Sequence, residues 1–172
     1  SIMKPFTVAA GMMSGLFDAS TIIDTTPGYM KVGRSQVRDH RNYGKVDLAM
    51  LLLKSSNVGS SKIALSIPPE GMWNLLDKLG FGAKTGVGFP GEAKGKLVGF
   101  ERWRPIERAT LSFGYGLSSS VLQVAQAYSV LANNGVLMPA TLLSDSVSEA
   151  KKVIPVEVSK SIRHMLQGVV SK

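Results

Sequence analysis

Apolar positions along the chain recur mostly at helical spacing, with only short stretches compatible with strands. Ile2, Phe6, Ala9, Met13 and Leu16 follow a near-helical period and predict a buried helix over 2–16 with Ser1 at its start. The apolar run from Leu48 to Leu53 predicts a helix over 47–54, and a second follows over 60–67 after a tight connection. Pro68-Pro69 before Glu70 reads as a helix start, with Met72, Leu75, Leu76 and Leu79 turned inward over 69–79 and Gly80 as the stop. Two more helices are predicted over 118–132 and 156–170. In the first, Val121, Ala125, Tyr128 and Ala132 share a face and Asn133-Asn134-Gly135 terminates the run. Extended segments are expected at 29–32 and 36–38, either side of Gly33-Arg34, and at 136–138. No internal repeat or low-complexity linker interrupts the pattern.

Two short motifs carry chemistry. In Ser1-Ile2-Met3-Lys4 a spacing of three places hydroxyl and amine on one helix face, where side chains meet. A serine hydroxyl is a poor nucleophile at neutral pH and needs a proton acceptor; lysine serves when burial or a neighbouring cation lowers its pKa. Pro5 is tolerated in the first turn, where its missing N–H costs nothing. The second motif, Lys54-Ser55-Ser56-Asn57-Val58-Gly59, lies between two predicted helices. A hydroxyl at Ser55 can relay a proton, and the Asn57 amide can orient both the lysine and a peptide group. Each motif alone is equally an ordinary surface tetrapeptide or a Ser/Asn turn.

Taken together, S-x-x-K-P followed by K-S-S-N-V-G resembles the class B penicillin-binding proteins, the cell-division-type peptidoglycan D,D-transpeptidases. The likeness extends, in the family's order, through Ile23–Gly28, Val32-Gly33-Arg34, Arg38–Gly44, Gly88–Glu92 and Ser112–Leu117. The resemblance implies an α+β fold, the penicillin-binding or serine β-lactamase-like transpeptidase domain with an antiparallel sheet flanked by helices, here as a largely helical piece. It implies Ser1 as nucleophile, Lys4 as general base, Ser55 as proton shuttle and Asn57 as a substrate-binding amide. His40, Asn42 and Tyr115 fall in stretches that border the cleft in the family and are expected to contact substrate or a β-lactam.

The same resemblance gives residues 1–172 as part of a transpeptidase domain. The N-terminal membrane anchor, the preceding non-catalytic module and the family's third motif, K-[ST]-G-[TA], are expected outside them. A Lys84-Thr85-Gly86 is present, but it sits among Gly80, Gly82, Gly86, Gly88 and Gly91 and reads as turns, not as the third motif. The expected partners are peptidoglycan stem peptides, β-lactam antibiotics and membrane proteins of the division complex, with the catalytic domain periplasmic and the anchor in the inner membrane. Residues 1–172 alone are expected to be unstable, their apolar helix faces lacking the sheet, and a cooperative thermal melt would count against this.

Composition narrows the alternatives. A formal charge of +8 raises nucleic acid as a partner, but the basic residues are scattered and not clustered with aromatics, so no nucleic-acid role is expected. Zero cysteine and two histidines, His40 and His164, argue against a thiolate or histidine metal site, and no cofactor is implied. No apolar run approaches the roughly 18 residues needed to cross a bilayer. Two other functions remain compatible with the residues: a hydrolase using Ser1 as an N-terminal nucleophile with its own α-amine as base, and a non-catalytic scaffold of wall assembly.

Overall fold

The computed structural model describes residues 2–142 and 149–170; Ser1 lies outside them. Helix α1 (Lys4–Met13) is the hub, packed by α2 (Leu48–Lys54), α3 (Asn57–Ser66), α4 (Pro69–Lys78) and α7 (Val156–Val170). Helix α5 (Pro105–Leu111) lies on α3, and α6 (Val121–Ala132) packs on α7. Among the described residues the strands form three antiparallel pairs: β1 (Ile23–Asp24) with β4 (Lys45–Val46), β2 (Tyr29–Val32) with β3 (Ser35–Arg38), and β5 (Val136–Leu137) with β6 (Lys151–Lys152). In the β2–β3 hairpin Tyr29 stands opposite Arg38 and Val32 opposite Ser35, which brings the end of β3 to the start of α3. The architecture is α+β, with helices predominating. Among the described residues no helix is long and apolar enough to cross a membrane.

Helix α1 begins as its sequence suggests: Pro5 sits in the first turn, and the N–H groups of Phe6 and Thr7 donate to the Met3 carbonyl. The predicted one-sided stripe is not what buries it. Every residue from Lys4 to Gly11 is buried, whereas Ile2, Met13 and Leu16 of the expected stripe are 54%, 41% and 60% exposed. A helix surrounded on all sides shows no polar face, so the period seen in the sequence carried little information. Gly11 is required by this crowding, since a Cβ there would meet Ile63 Cγ2 at 2.7 Å.

Helix α4 follows its pattern, with Met72, Leu75, Leu76 and Leu79 all buried and Gly80 at φ 92° past its end. Helix α6 presents a different face from the expected one. Val121, Ala125 and Ala132 are exposed, and the buried side carries Gln123, Ala127, Val130 and Leu131. Gln123 explains the inversion. Its Oε1 accepts from the Ser120 N–H while the Ser120 hydroxyl accepts from the Gln123 N–H, which closes the helix start. Its Nε2 then donates to the carbonyls of Gly80, Ala83 and Lys94, holding the two ends of the glycine-rich loop. Lys84-Thr85-Gly86 lies in that loop outside any strand, the Thr85 N–H donating to Glu92 Oε1 at 2.7 Å.

Helix α5, which the apolar pattern did not predict, is opened by Pro105 and by the Glu107 carboxylate, which accepts from both the Arg104 N–H and its guanidinium at 2.8 Å. It is tied into the helical core by side chain to backbone bonds. Thr7 Oγ1 donates to the Ser112 carbonyl at 2.8 Å and Ser61 Oγ to that of Ala109 at 3.0 Å. The Arg108 guanidinium donates to the Ala64 and Ile67 carbonyls at the end of α3, a cation placed where the helix dipole favours one. These links fix the loop 112–117 relative to α1 and α3.

Candidate active site

The connection between α2 and α3 sets the site. Ser55 caps α2 in the left-handed region at φ 55° and ψ 46°, a conformation that costs a non-glycine residue about 1–2 kcal/mol. This kink turns the chain so that Ser56 becomes the N-cap and α3 begins at Asn57, three residues earlier than the predicted start at 60. The Ser56 hydroxyl is buried and accepts from the Gly59 N–H at 2.9 Å. Gly59 admits no side chain here, because a Cβ would meet Leu51 Cδ1 at 2.6 Å. The order Ser-Ser-Asn-Val-Gly is therefore read in physical terms as a strained corner, a cap, the first helical residue and a close helix crossing.

Across this corner stands Lys4. Its side chain is 3% exposed and its Nζ donates to Ser55 Oγ at 2.9 Å. The ammonium lies 5.9 Å from the centroid of the Phe113 ring. Burial pushes the Lys4 amine down to about 8, opposed by the Asp39 carboxylate, which raises it. A lysine at that value is partly neutral near pH 7 to 8, as a proton acceptor must be.

Asp39, the residue after β3, organises the start of α3. Its Oδ1 accepts from the N–H groups of Asn57 and Val58, and its Oδ2 accepts from the Ser56 hydroxyl at 2.7 Å. A carboxylate on the first N–H groups of a helix satisfies donors that have no intrahelical partner and complements the dipole. Sequence reasoning missed this residue: it appears only inside the block Arg38–Gly44, and its bonds reach 17 to 19 positions along the chain. The Asn57 side chain is held from the same hairpin, Nδ2 donating to the Arg38 carbonyl at 3.0 Å.

Lys4, Ser55 and Asn57 line a depression of about 640 Å³ together with Arg38, His40, Lys54, Thr110, Phe113 and Tyr115. Tyr115 is 68% exposed and its ring meets Phe113 edge-on at 5.7 Å. The flanking glycines make that projection feasible, with φ of 107° at Gly114 and 83° at Gly116. His40 also lines the depression. Asn42 does not line the depression: its Oδ1 accepts from the Gly44 N–H at 2.9 Å, closing its own turn, and the neighbouring Tyr43 reaches the wall instead. Ser1, three residues before Lys4, lies outside the described residues.

The penicillin binding protein transpeptidase domain family matches residues 1–172. The chain belongs to that family. Within it, the chain is 40% identical over 170 residues to "Probable peptidoglycan D,D-transpeptidase PenA" of Neisseria flavescens, covering 98% of the chain and 42% of the relative. It is 39% identical over 171 residues to "Probable peptidoglycan D,D-transpeptidase PbpC" of Pseudomonas aeruginosa, covering 99% and 30%. "Peptidoglycan D,D-transpeptidase FtsI" of Escherichia coli is 32% identical over 170 residues, covering 98% and 29%. The chain thus spans less than half the length of these transpeptidase relatives. The transpeptidase domain of penicillin-binding protein 3 from Burkholderia pseudomallei superposes with a TM-score of 0.93 at 37% identity, covering 98% of this chain and 52% of that one. The α+β fold expected from the motifs is the penicillin-binding transpeptidase fold.

Proposed function

We propose that the protein is a peptidoglycan D,D-transpeptidase that cross-links stem peptides through an acyl-enzyme on Ser1. The observation that carries the reading is the Lys4 Nζ to Ser55 Oγ hydrogen bond at 2.9 Å, made by a buried lysine whose pKa lies near 8. Relatives named peptidoglycan D,D-transpeptidases support the same activity. Lys4 takes the proton of the Ser1 hydroxyl as Oγ attacks the penultimate alanyl carbonyl of a stem peptide. The positive end of the α1 dipole favours the negative charge that develops as Ser1 attacks. Ser55, bonded to Lys4, passes the proton to the departing D-alanine amine. A second strand's amine then attacks the ester and regenerates Ser1.

Asn57 keeps its carbonyl oxygen for a substrate N–H while its Nδ2 remains on Arg38. Tyr115 and His40, which both line the depression, serve as walls for the peptide or for a β-lactam side chain. The family's third motif, the anchor and the non-catalytic module belong to the rest of the protein in this reading. So do the periplasmic placement, the inner-membrane anchoring and the septal role with its division-complex partners.

Labelled benzylpenicillin is the direct test. Incubated with the intact protein, it is expected to attach covalently to the peptide containing Ser1, located by mass spectrometry after proteolysis. Label on another residue, or none, sinks the reading. Tyr115→Ala is expected to slow this acylation up to about tenfold, the loss of one aromatic contact of roughly 0.5–1.5 kcal/mol, with the stopped-flow rate as the check.

A further inference from the structure

A second depression of about 540 Å³ adjoins the first, and Tyr115 belongs to the walls of both. Its apolar lining includes Val98, Trp103 and Leu117, and Lys96 and Arg102 bring positive charge to it. The lining is fixed in place. Trp103 Nε1 donates to the Val98 carbonyl at 3.0 Å, and Lys96 and Ser118 exchange backbone hydrogen bonds at 2.8 and 3.1 Å. The acid of this wall, Glu107, is already bound to Arg104 at 2.8 Å. Among the described residues Lys96 and Arg102 form no ion pair, so the depression offers an apolar surface and two uncompensated cations.

We propose that this depression is the subsite for the acceptor, the second stem peptide, whose C-terminal alanyl methyl groups rest on the apolar surface and whose carboxylate meets Lys96 and Arg102. The proposal rests on the transpeptidase reading above. That reaction brings two peptides to one carbonyl: the first depression, with Lys4 and Ser55, takes the donor, so the acceptor needs a contiguous second place. Contiguity through Tyr115 and charge complementarity both favour this one. In the transfer step the acceptor amine forms an amide bond to the acyl carbon and the ester bond to Ser1 Oγ breaks. The amine proton returns to Oγ through Lys4 and Ser55. Water competes for the same ester, so weaker acceptor binding diverts acyl groups to hydrolysis.

The test uses the intact protein, a stem-peptide donor, and acceptor peptides that end in either a free carboxylate or a carboxamide. The Lys96→Ala/Arg102→Ala double variant removes two exposed side chains and is expected to take up labelled penicillin at the wild-type rate. Its ratio of transfer to hydrolysis is expected to fall about tenfold, in line with the loss of charge-assisted hydrogen bonds. In the wild type the carboxamide acceptor should already show the lower ratio, and in the double variant the two acceptors should behave alike. An undiminished ratio with penicillin uptake intact overturns the proposal. So does a wild-type enzyme that does not distinguish carboxylate from carboxamide, a comparison that decides even if the double variant fails to fold. A wild-type protein that takes up no penicillin removes the transpeptidase reading, and this subsite with it.

Discussion

Lys4→Met in the intact protein is expected to slow acylation by labelled penicillin about 10²–10⁴-fold, the usual contribution of a positioned general base. Methionine keeps an unbranched apolar stem in a site where only 3% of the lysine is exposed, so packing against Phe113 and the α2–α3 corner is retained and the amine alone is lost. Lys4→Arg is expected to be as slow, because a guanidinium stays protonated. An acylation rate within threefold of wild type in Lys4→Met would remove Lys4 from the base role.

The same group sets two pH dependences. The acceptor form of Lys4 is the neutral amine, so the wild-type acylation rate should rise with pH and level off above about 8, and Lys4→Met should lose that rise. Stability follows the opposite member of the linkage. Burial lowers the folded pKa below the unfolded value of 10.5, so between about 8 and 10.5 the unfolded chain binds the proton that the folded chain does not. Stability from this group therefore increases with pH across that window. Below about 8 both states hold the proton, and the full cost of burying the charge is present.

How much of this was legible in the sequence depended on what each element packs against. Helix α4 has one buried face and ends marked by proline and glycine, and its inward residues were read correctly. Helix α1 is buried all round, so a period sought in its apolar residues selected Ile2, Met13 and Leu16, which the structure exposes. In α6 the buried face is anchored by Gln123, whose amide satisfies loop carbonyls, so a reading by apolar residues alone chose the outer side. Seven-residue α5 is held by Arg104, Glu107 and Arg108 as much as by apolar contacts, and charge pairs carry no helical signature of that kind. The site followed the same division. Lys4, Ser55 and Asn57 were legible because local motifs carry them, and the structure brings them to one depression. Asp39 was not, because its function is to receive three donors from a corner far along the chain.

That long-range contact makes Asp39→Ala the second large effect. It leaves the N–H groups of Asn57 and Val58 at the start of α3 without their acceptor and the buried Ser56 hydroxyl without its carboxylate. Loss of a helix-start cap with charged hydrogen bonds costs about 2–3 kcal/mol. The urea midpoint of the intact protein is expected to fall accordingly, and acylation to slow as Ser55 and Asn57 lose their fixed corner. The electrostatic consequence has the opposite sign and separates the two roles. Asp39 raises the Lys4 pKa, so its removal should move the rise in acylation rate to lower pH, below the wild-type midpoint near 8. Asp39→Asn, which keeps the shape and removes the charge, should show that acid shift with a smaller loss of stability. An unshifted profile in both variants would mean that Asp39 only builds the corner and exerts no field on the lysine.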